Sequence, residues 1–461
     1  MSIKETFIVP HPPLIVPEIG GGQEMKIQKT IDAYEKVAKR IAEIKPSTII
    51  LTTPHSIMYS DYIHISPGRG ARGNFKEFGH EQVGMEVLYD MDFVQKLSAM
   101  AEENNISAGT MGEKNKSLDH GTMVPLYFIN KYFNDYKLVR ISISGLSYID
   151  HYNLGKCIGK IADESDENIV FIASGDLSHM LKEEGPYGYK EEGVIFDREI
   201  VSAMKSGNFL EFLKFDEGFC QTAAECGLRS FIIMAGALDS KKVKSELLSY
   251  EGPFGVGYGV SAYTVITNDE TRCFGEIYKT NEQMRIDSLK NEEDAFVRLA
   301  RQSLESFVVN HKKIEKTLDL DCELLNNRRG VFVSLKIDGQ LRGCIGTILP
   351  TTECIADEII QNAISAGAYD PRFYPVKENE LSHIIYSVDV LGDAEGIDSI
   401  NELDAVRYGV IVEKGSRRGL LLPNLEGVNT PEEQVSIALK KAGILPSEHY
   451  TMERFEVVRH K

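Results

Sequence analysis

Four short stretches constrain this chain most: Pro10-His11-Pro12-Pro13, Thr53-Pro54-His55, Leu118-Asp119-His120-Gly121-Thr122 and Ser174-Gly175-Asp176-Leu177-Ser178-His179. Each places a histidine in a turn containing Pro or Gly. Two of the turns follow directly on apolar, β-like runs, residues 47–52 leading into His55 and residues 169–173 into Asp176 and His179. A strand end is a rigid place from which to aim a side chain, and open α/β sheets bind ligands outside the carboxyl ends of their strands. These turns predict an α/β fold with a mostly parallel sheet flanked by helices, and four histidines converging on one metal centre. A single histidine after a strand is more often a turn residue with its bonds satisfied; four of the eleven histidines in such turns favour a shared centre.

The pattern around them is that of β-loop-α-β units. Residues 5–10 read as a strand, a Gly20-Gly21-Gly22 loop follows, and apolar positions at helical spacing predict a helix over 24–44. A strand at 48–53 completes the first unit, which favours parallel pairing. Further strands are expected at 137–144, 169–173 and 259–267, and helices at 81–104, 151–163, 191–215 and 223–238. The Gly- and aromatic-bearing residues 68–80 read as a loop over the site, in the position of a lid. After Thr267 the sequence turns polar, giving a first domain over 1–268 and a linker over 269–286. A second, smaller α+β domain follows over 287–461. It opens with an amphipathic helix near 293–310, and the alternating residues 330–338 predict a hairpin closed by Asp338-Gly339.

At 461 residues more than one domain is expected. The formal net charge of −18 argues against nucleic acid or an anionic membrane as partner, because an acidic surface gains nothing from counterion release. No apolar run approaches the roughly 18 residues of a membrane span. The opening residues are too soon charged for a signal peptide, and seven scattered cysteines without a C-x-x-C pair suit reduced thiols in the cytoplasm.

Two histidines and a carboxylate on one face of a divalent metal leave coordination positions open, as in non-haem Fe(II) oxygenases. His11 and His55 are the best ligand candidates. The third ligand is a carboxylate or a thiolate, and Glu225 and Cys226 stand together where the 223–238 helix is expected to begin, a position that favours anions. His120 and His179 are then placed to act on substrate, one as base toward an acidic hydroxyl and one as donor to bound oxygen or a substrate anion.

The four histidine motifs, in this order, resemble the class III (LigB-type) extradiol ring-cleavage dioxygenases and their relative Memo. The resemblance covers about residues 4–267. It implies that His11, His55 and an acidic residue bind Fe(II), that His179 is the acid/base with His120 assisting and Asp176 beside it, and that a small catechol-like aromatic is the substrate. Glu225 is the nearest carboxylate, whereas Cys226-Gly227 resembles the Cys-Gly that Memo uses for its metal. In the second domain, Leu341-Arg342-Gly343-Cys344-Ile345-Gly346-Thr347 is similar to the signature of the AMMECR domain, as are Asp370-Pro371-Arg372-Phe373 and residues 418–423. From the residues alone, Arg342 either recognises an anion or lowers the pKa of Cys344; the plainer alternative is a glycine-bearing strand with a buried thiol.

The pairing of the two domains resembles the AmmeMemoRadiSam system protein A family. That company implies radical-SAM and Memo-like proteins as partners and leaves homo-oligomerisation open. Three functions follow as expectations. The first is an O2-dependent Fe(II) oxidoreductase. The second is a metal-binding interaction or maturation factor without oxygen chemistry. The third is a Zn²⁺ hydrolase in which His179 assists a metal-bound water.

Overall fold

The computed structural model describes residues 2–114, 117–337, 339–425 and 427–461. The chain forms two compact units that divide between Thr280 and Asn281. The division falls inside a helix, Phe274–Glu292, so the polar stretch read as a linker over 269–286 is largely helical. Charged side chains three residues apart, Glu276 with Lys279 and Glu282 with Arg285, pair along it and suit a solvated helix.

The first unit is built on a six-stranded sheet. Its order is Lys137–Ser142, Thr48–Thr53, Ile169–Ser174, Ile3–Val9, Tyr258–Asn268 and Lys241–Glu251. The first four strands are parallel, and the last two are antiparallel additions. The sheet is therefore mixed, with a parallel core. The strand Lys241–Glu251 lies in a segment the sequence pattern left without an element, because its outward positions are lysines and glutamates.

Both faces of the parallel core are buried, which explains its near-continuous apolar runs. Phe7, Ile49, Leu51, Val170 and Ile172 point into one core with the helices Gln28–Ile44 and His120–Asn130. Ile8, Ile50, Phe171 and Ala173 point into the other, with Met91–Glu103, Tyr148–Asp163, Glu191–Ser206 and Leu228–Ala237.

Two expectations change here. The segment 81–104 begins as a strand, His80–Leu88, before the helix Met91–Glu103. Val83, Met85 and Val87 alternate along it and pack into the core that holds Phe7 and Leu51, a period of two inside a stretch that also carries helical spacing. That strand pairs with Gly70–Phe75, so residues 68–80 are one arm and the turn of a β-hairpin and not a loop.

The second unit is α+β and contains two four-stranded antiparallel sheets. The hairpin Val331–Ile337 with Gln340–Gly346 forms as predicted and turns through Gly339 at φ 78°; Asp338 lies outside the described residues. The helices Ala295–Asn310 and Ile355–Ala368 share the core of that sheet, and Pro431–Ala442 packs into the core of the other. Among the described residues, no helix is long and apolar enough to cross a membrane.

In the first unit the helices Tyr148–Asp163 and Leu228–Ala237 cross at glycines. A Cβ on Gly155 would lie 2.1 Å from the Ile233 carbonyl oxygen, and one on Gly236 would lie 2.0 Å from that of Tyr152. Gly155→Ala is expected to lower stability by about 1–3 kcal/mol, the usual cost of overpacking. Urea denaturation checks this; an unchanged midpoint would mean that the helices do not cross this closely.

Candidate metal centre

Parallel pairing delivers the site. Val9 pairs with Ser174 and Thr52 with Ala173, so three neighbouring strands end level. His11, His55 and Asp176 each stand two residues beyond the last residue of their strand. The third histidine motif arrives from a helix: His120 opens His120–Asn130, whose start is capped by Asp119 accepting from the Thr122 N–H.

Three donor atoms meet at this edge. His11 Nε2 and His55 Nε2 are 2.9 Å apart, and Cys226 Sγ is 3.7 Å from His11 Nε2. All three lie within 4.8 Å of one another. The tautomer of His11 follows from its other nitrogen. Ser174 Oγ donates its only proton to the Gly121 carbonyl at 2.6 Å, so it accepts from the His11 Nδ1–H at 2.9 Å. The lone pair of His11 is then on Nε2, facing His55 and Cys226.

Glu225 stands outside this group. The helix expected over 223–238 begins only at Leu228, as Leu228–Ala237; Ala223 instead ends a preceding helix, Glu217–Ala223, and a connector with Ala224 in the left-handed region at φ 51° separates the two. Glu225 turns back to cap the second helix, accepting from the Leu228 N–H at 2.7 Å. Burial pushes its carboxyl up to about 7, against the pull of the Leu228 N–H and Arg229. Cys226 is set differently: its Sγ accepts from the Asp176 N–H at 3.3 Å. Burial first, then the neighbouring Asp176 and Glu225, push the thiol up.

Close backbone approach makes this arrangement possible. A Cβ on Gly175 would lie 2.1 Å from Gly227 Cα, so only two glycines let the 174–179 turn and the 225–227 connector meet. Asp176 then links the two sides, its Oδ1 accepting from the His11 N–H at 2.7 Å while its own N–H faces Cys226. Burial raises the Asp176 carboxyl to about 7, opposed by the His11 N–H.

His120 and His179 flank the donors. The His120 ring centroid is 4.0 Å from that of His55 and 5.5 Å from that of His11. Burial, and then the neighbouring His55, lower both His120 and His179 to about 4. The same causes, with His120 and His179 added, hold His11 well below the usual imidazole range. His179 Nε2 is buried and has no hydrogen-bond partner among the described residues. A cleft of about 1210 Å³ opens beside His55 and His120, walled by the hairpin, from which Phe78 meets the His120 ring edge-on at 5.6 Å.

Support for the site comes partly from residues to which the sequence reading gave no role. Asp119 accepts from Thr53 Oγ1 at 2.7 Å and from both the N–H and the hydroxyl of Thr122 at 2.9 Å. Arg140, 1 % exposed, donates to Ser66 Oγ and to the Ser117 carbonyl at 2.8 Å, with Asp119 at 3.5 Å. An arginine inside an otherwise apolar strand was the visible signal.

In the second unit, Arg342 is committed elsewhere than at Cys344. Its Nε and a terminal nitrogen donate to Glu380 at 2.7 and 3.1 Å, and its other terminal nitrogen donates to the Tyr374 carbonyl at 3.0 Å. Cys344 Sγ accepts from Ser334 Oγ at 3.2 Å, and its N–H donates to Asp370 at 2.9 Å. Arg372, paired with Asp370, donates to the Cys344 carbonyl at 3.0 Å and is the arginine that reaches this strand.

Residues 5–261 match the family described as the catalytic LigB subunit of aromatic ring-opening dioxygenase, and residues 297–460 match AMMECR1. The chain belongs to the LigB family, with an AMMECR1 domain fused behind it. It is similar to protein CA_C1420 of Clostridium acetobutylicum, 47% identical over the whole of both chains. A protein of Thermotoga maritima is 49% identical over 37% of this chain and 98% of its own length. Among solved structures, PH0010 of Pyrococcus horikoshii shares 34% identity at a TM-score of 0.34, covering 36% of this chain and 88% of that one. JW3007 of Escherichia coli K12 shares 13% at a TM-score of 0.37, covering 56% and 99%.

Asp119→Ala removes the carboxylate beside a buried guanidinium and is expected to cost about 3–5 kcal/mol, as when one partner of a buried pair is lost. Thermal and urea unfolding measure it; a loss under about 1 kcal/mol, the level of a surface pair, would show that Arg140 does not depend on Asp119.

Proposed function

We propose that the first unit is a mononuclear non-haem iron oxidoreductase. In this reading His11 Nε2, His55 Nε2 and Cys226 Sγ hold Fe(II), and a small catechol-like aromatic diol is oxidised with O2. The observation that carries it is the convergence of two imidazole Nε2 atoms and one thiol sulfur at the level ends of three parallel strands. The donor set suits a transition metal, since imidazole and thiol sulfur both favour such ions over hard cations. The fixed tautomer of His11 supports the same fit, because Ser174 holds Nδ1–H and leaves Nε2 as the donor.

Fe(II) bound there supplies open positions at which a diol and O2 are brought together. His179 presents a buried Nε2, without a partner among the described residues, that takes the proton of a substrate hydroxyl. His120, against the His55 ring, orients the diol and returns a proton. The cleft beside His55 and His120 admits a ring-sized molecule, and Phe78 supplies an apolar edge.

The thiol supports a second reading. Ring-opening iron chemistry is associated with two histidines and a carboxylate, and here the carboxyl of Glu225 is used as a helix cap. A sulfur ligand changes what the metal does, so a metal-binding maturation factor working with radical-SAM or Memo-like proteins, without oxygen chemistry, is the alternative.

Iron content after anaerobic reconstitution, with the EPR signal of the nitric oxide adduct, separates the two. About one iron per chain is expected in the parent and in Glu225→Gln, and little in Cys226→Ala or His11→Ala. An adduct signal that changes on adding catechol, followed by O2 consumption, supports the oxidoreductase. Iron without a catechol response leaves the maturation factor, and iron lost with Glu225 but kept without Cys226 contradicts the ligand assignment.

A further inference from the structure

Residues 181–189 form a small built turn over His179. The chain leaves Met180 and returns at Lys190, whose N–H donates to the Met180 carbonyl at 2.9 Å, and Leu181 bridges to Tyr189. At the apex stands Gly185-Pro186-Tyr187-Gly188, closed by the Gly188 N–H donating to the Gly185 carbonyl at 3.3 Å. Proline at the second position and glycine at the fourth are the residues such a turn favours, and Gly188 has φ +84°.

The base of the turn is docked. The Leu181 N–H donates to the Gly255 carbonyl at 3.1 Å, and Lys182 Nζ to the Pro253 carbonyl at 3.0 Å. Gly185 lies so close to Gly255 that a Cβ would sit 3.2 Å from its Cα.

The turn exposes two aromatic rings, Tyr189 at its base and Tyr187 at its apex, and Tyr187 is the one that meets His179. Tyr187 is 57% exposed, and its ring centroid lies 5.0 Å from that of His179 with the planes 32° apart. No described residue hydrogen-bonds its hydroxyl. An exposed aromatic such as Tyr189 is ordinary on a protein surface. Tyr187 is held by a docked turn beside an imidazole whose Nε2 is buried and, among the described residues, without a hydrogen-bond partner, a nitrogen able to meet a ligand hydroxyl.

We propose that Tyr187 is the aromatic clamp of the site, a wall against which the planar ring of a dihydroxyaromatic ligand stacks while one of its hydroxyls meets His179 Nε2. The proposal rests on the aromatic-diol reading above and adds the residue that selects for a flat ring. Binding through the face of the ring tolerates ring substituents, so the clamp favours aromatic diols over aliphatic ones of the same size.

The test is anaerobic titration of the Fe(II)-loaded full chain with 4-nitrocatechol, followed by absorbance, for the parent, Tyr187→Ala and Tyr187→Phe. Iron content is measured alongside in each. Tyr187→Ala is expected to weaken binding roughly 2- to 12-fold, the range for loss of an aromatic pair, with iron content unchanged. Tyr187→Phe keeps the ring and should stay within about twofold of the parent. Equal affinity in the parent and Tyr187→Ala overturns the clamp and leaves the diol reading standing. Tyr187→Phe as weak as Tyr187→Ala overturns stacking in favour of the hydroxyl. An iron-loaded parent that does not bind the catechol overturns the diol reading, and the clamp falls with it.

Discussion

Asp176 is the residue through which the two halves of the candidate centre meet. Its carboxylate holds the His11 backbone and its own N–H faces the sulfur of Cys226, so donors 215 positions apart are kept together by one turn. That turn reaches both only because Gly175 and Gly227 let the backbones touch. The rest of the unit fixes the turn in space. The parallel sheet levels the strand ends, Ser174 sets the His11 tautomer, and Asp119 secures the His120 turn to Thr53. The network is buried and closely satisfied, which gives it a defined geometry at the cost of tolerance to change.

The chemistry depends on which side chain the 224–227 connector turns inward. Two adjacent residues, Glu225 and Cys226, offered a carboxylate and a thiol. The left-handed conformation at Ala224 and the helix beginning after Gly227 send the carboxylate to the helix cap and the sulfur to the histidines. A one-residue choice in a tight loop thus sets the donor set. Within the LigB family that choice bears directly on what a bound metal does, because ligand softness governs metal preference and reactivity.

Much of the fold was legible because parallel strands buried on both faces write continuous apolar runs, and the Pro- and Gly-bearing turns after them mark where function sits. Strands at 48–53 and 169–174 are clear in this way. The signal failed where two periods overlap. Residues 80–88 carry alternating Val83, Met85 and Val87 just before a true helix, and the spacing reads as helical throughout. It failed again where a break depends on one backbone conformation, as at Ala224 inside an apolar segment. Side-chain partners distant in sequence left no trace: nothing near Arg342 announces Glu380, and nothing near Cys344 announces Asp370. The polar stretch after Thr267 shows that low apolar content alone does not distinguish a linker from a solvated helix.

The central claim is that a sulfur and two imidazoles form one metal site. X-ray absorption on the zinc-loaded full chain tests it most directly, since zinc accepts both donor types and carries no redox chemistry of its own. The account predicts one sulfur scatterer at about 2.3 Å beside nitrogen scatterers at about 2.0–2.1 Å. A shell of nitrogen and oxygen alone, with no sulfur, would contradict it and return the third position to a carboxylate.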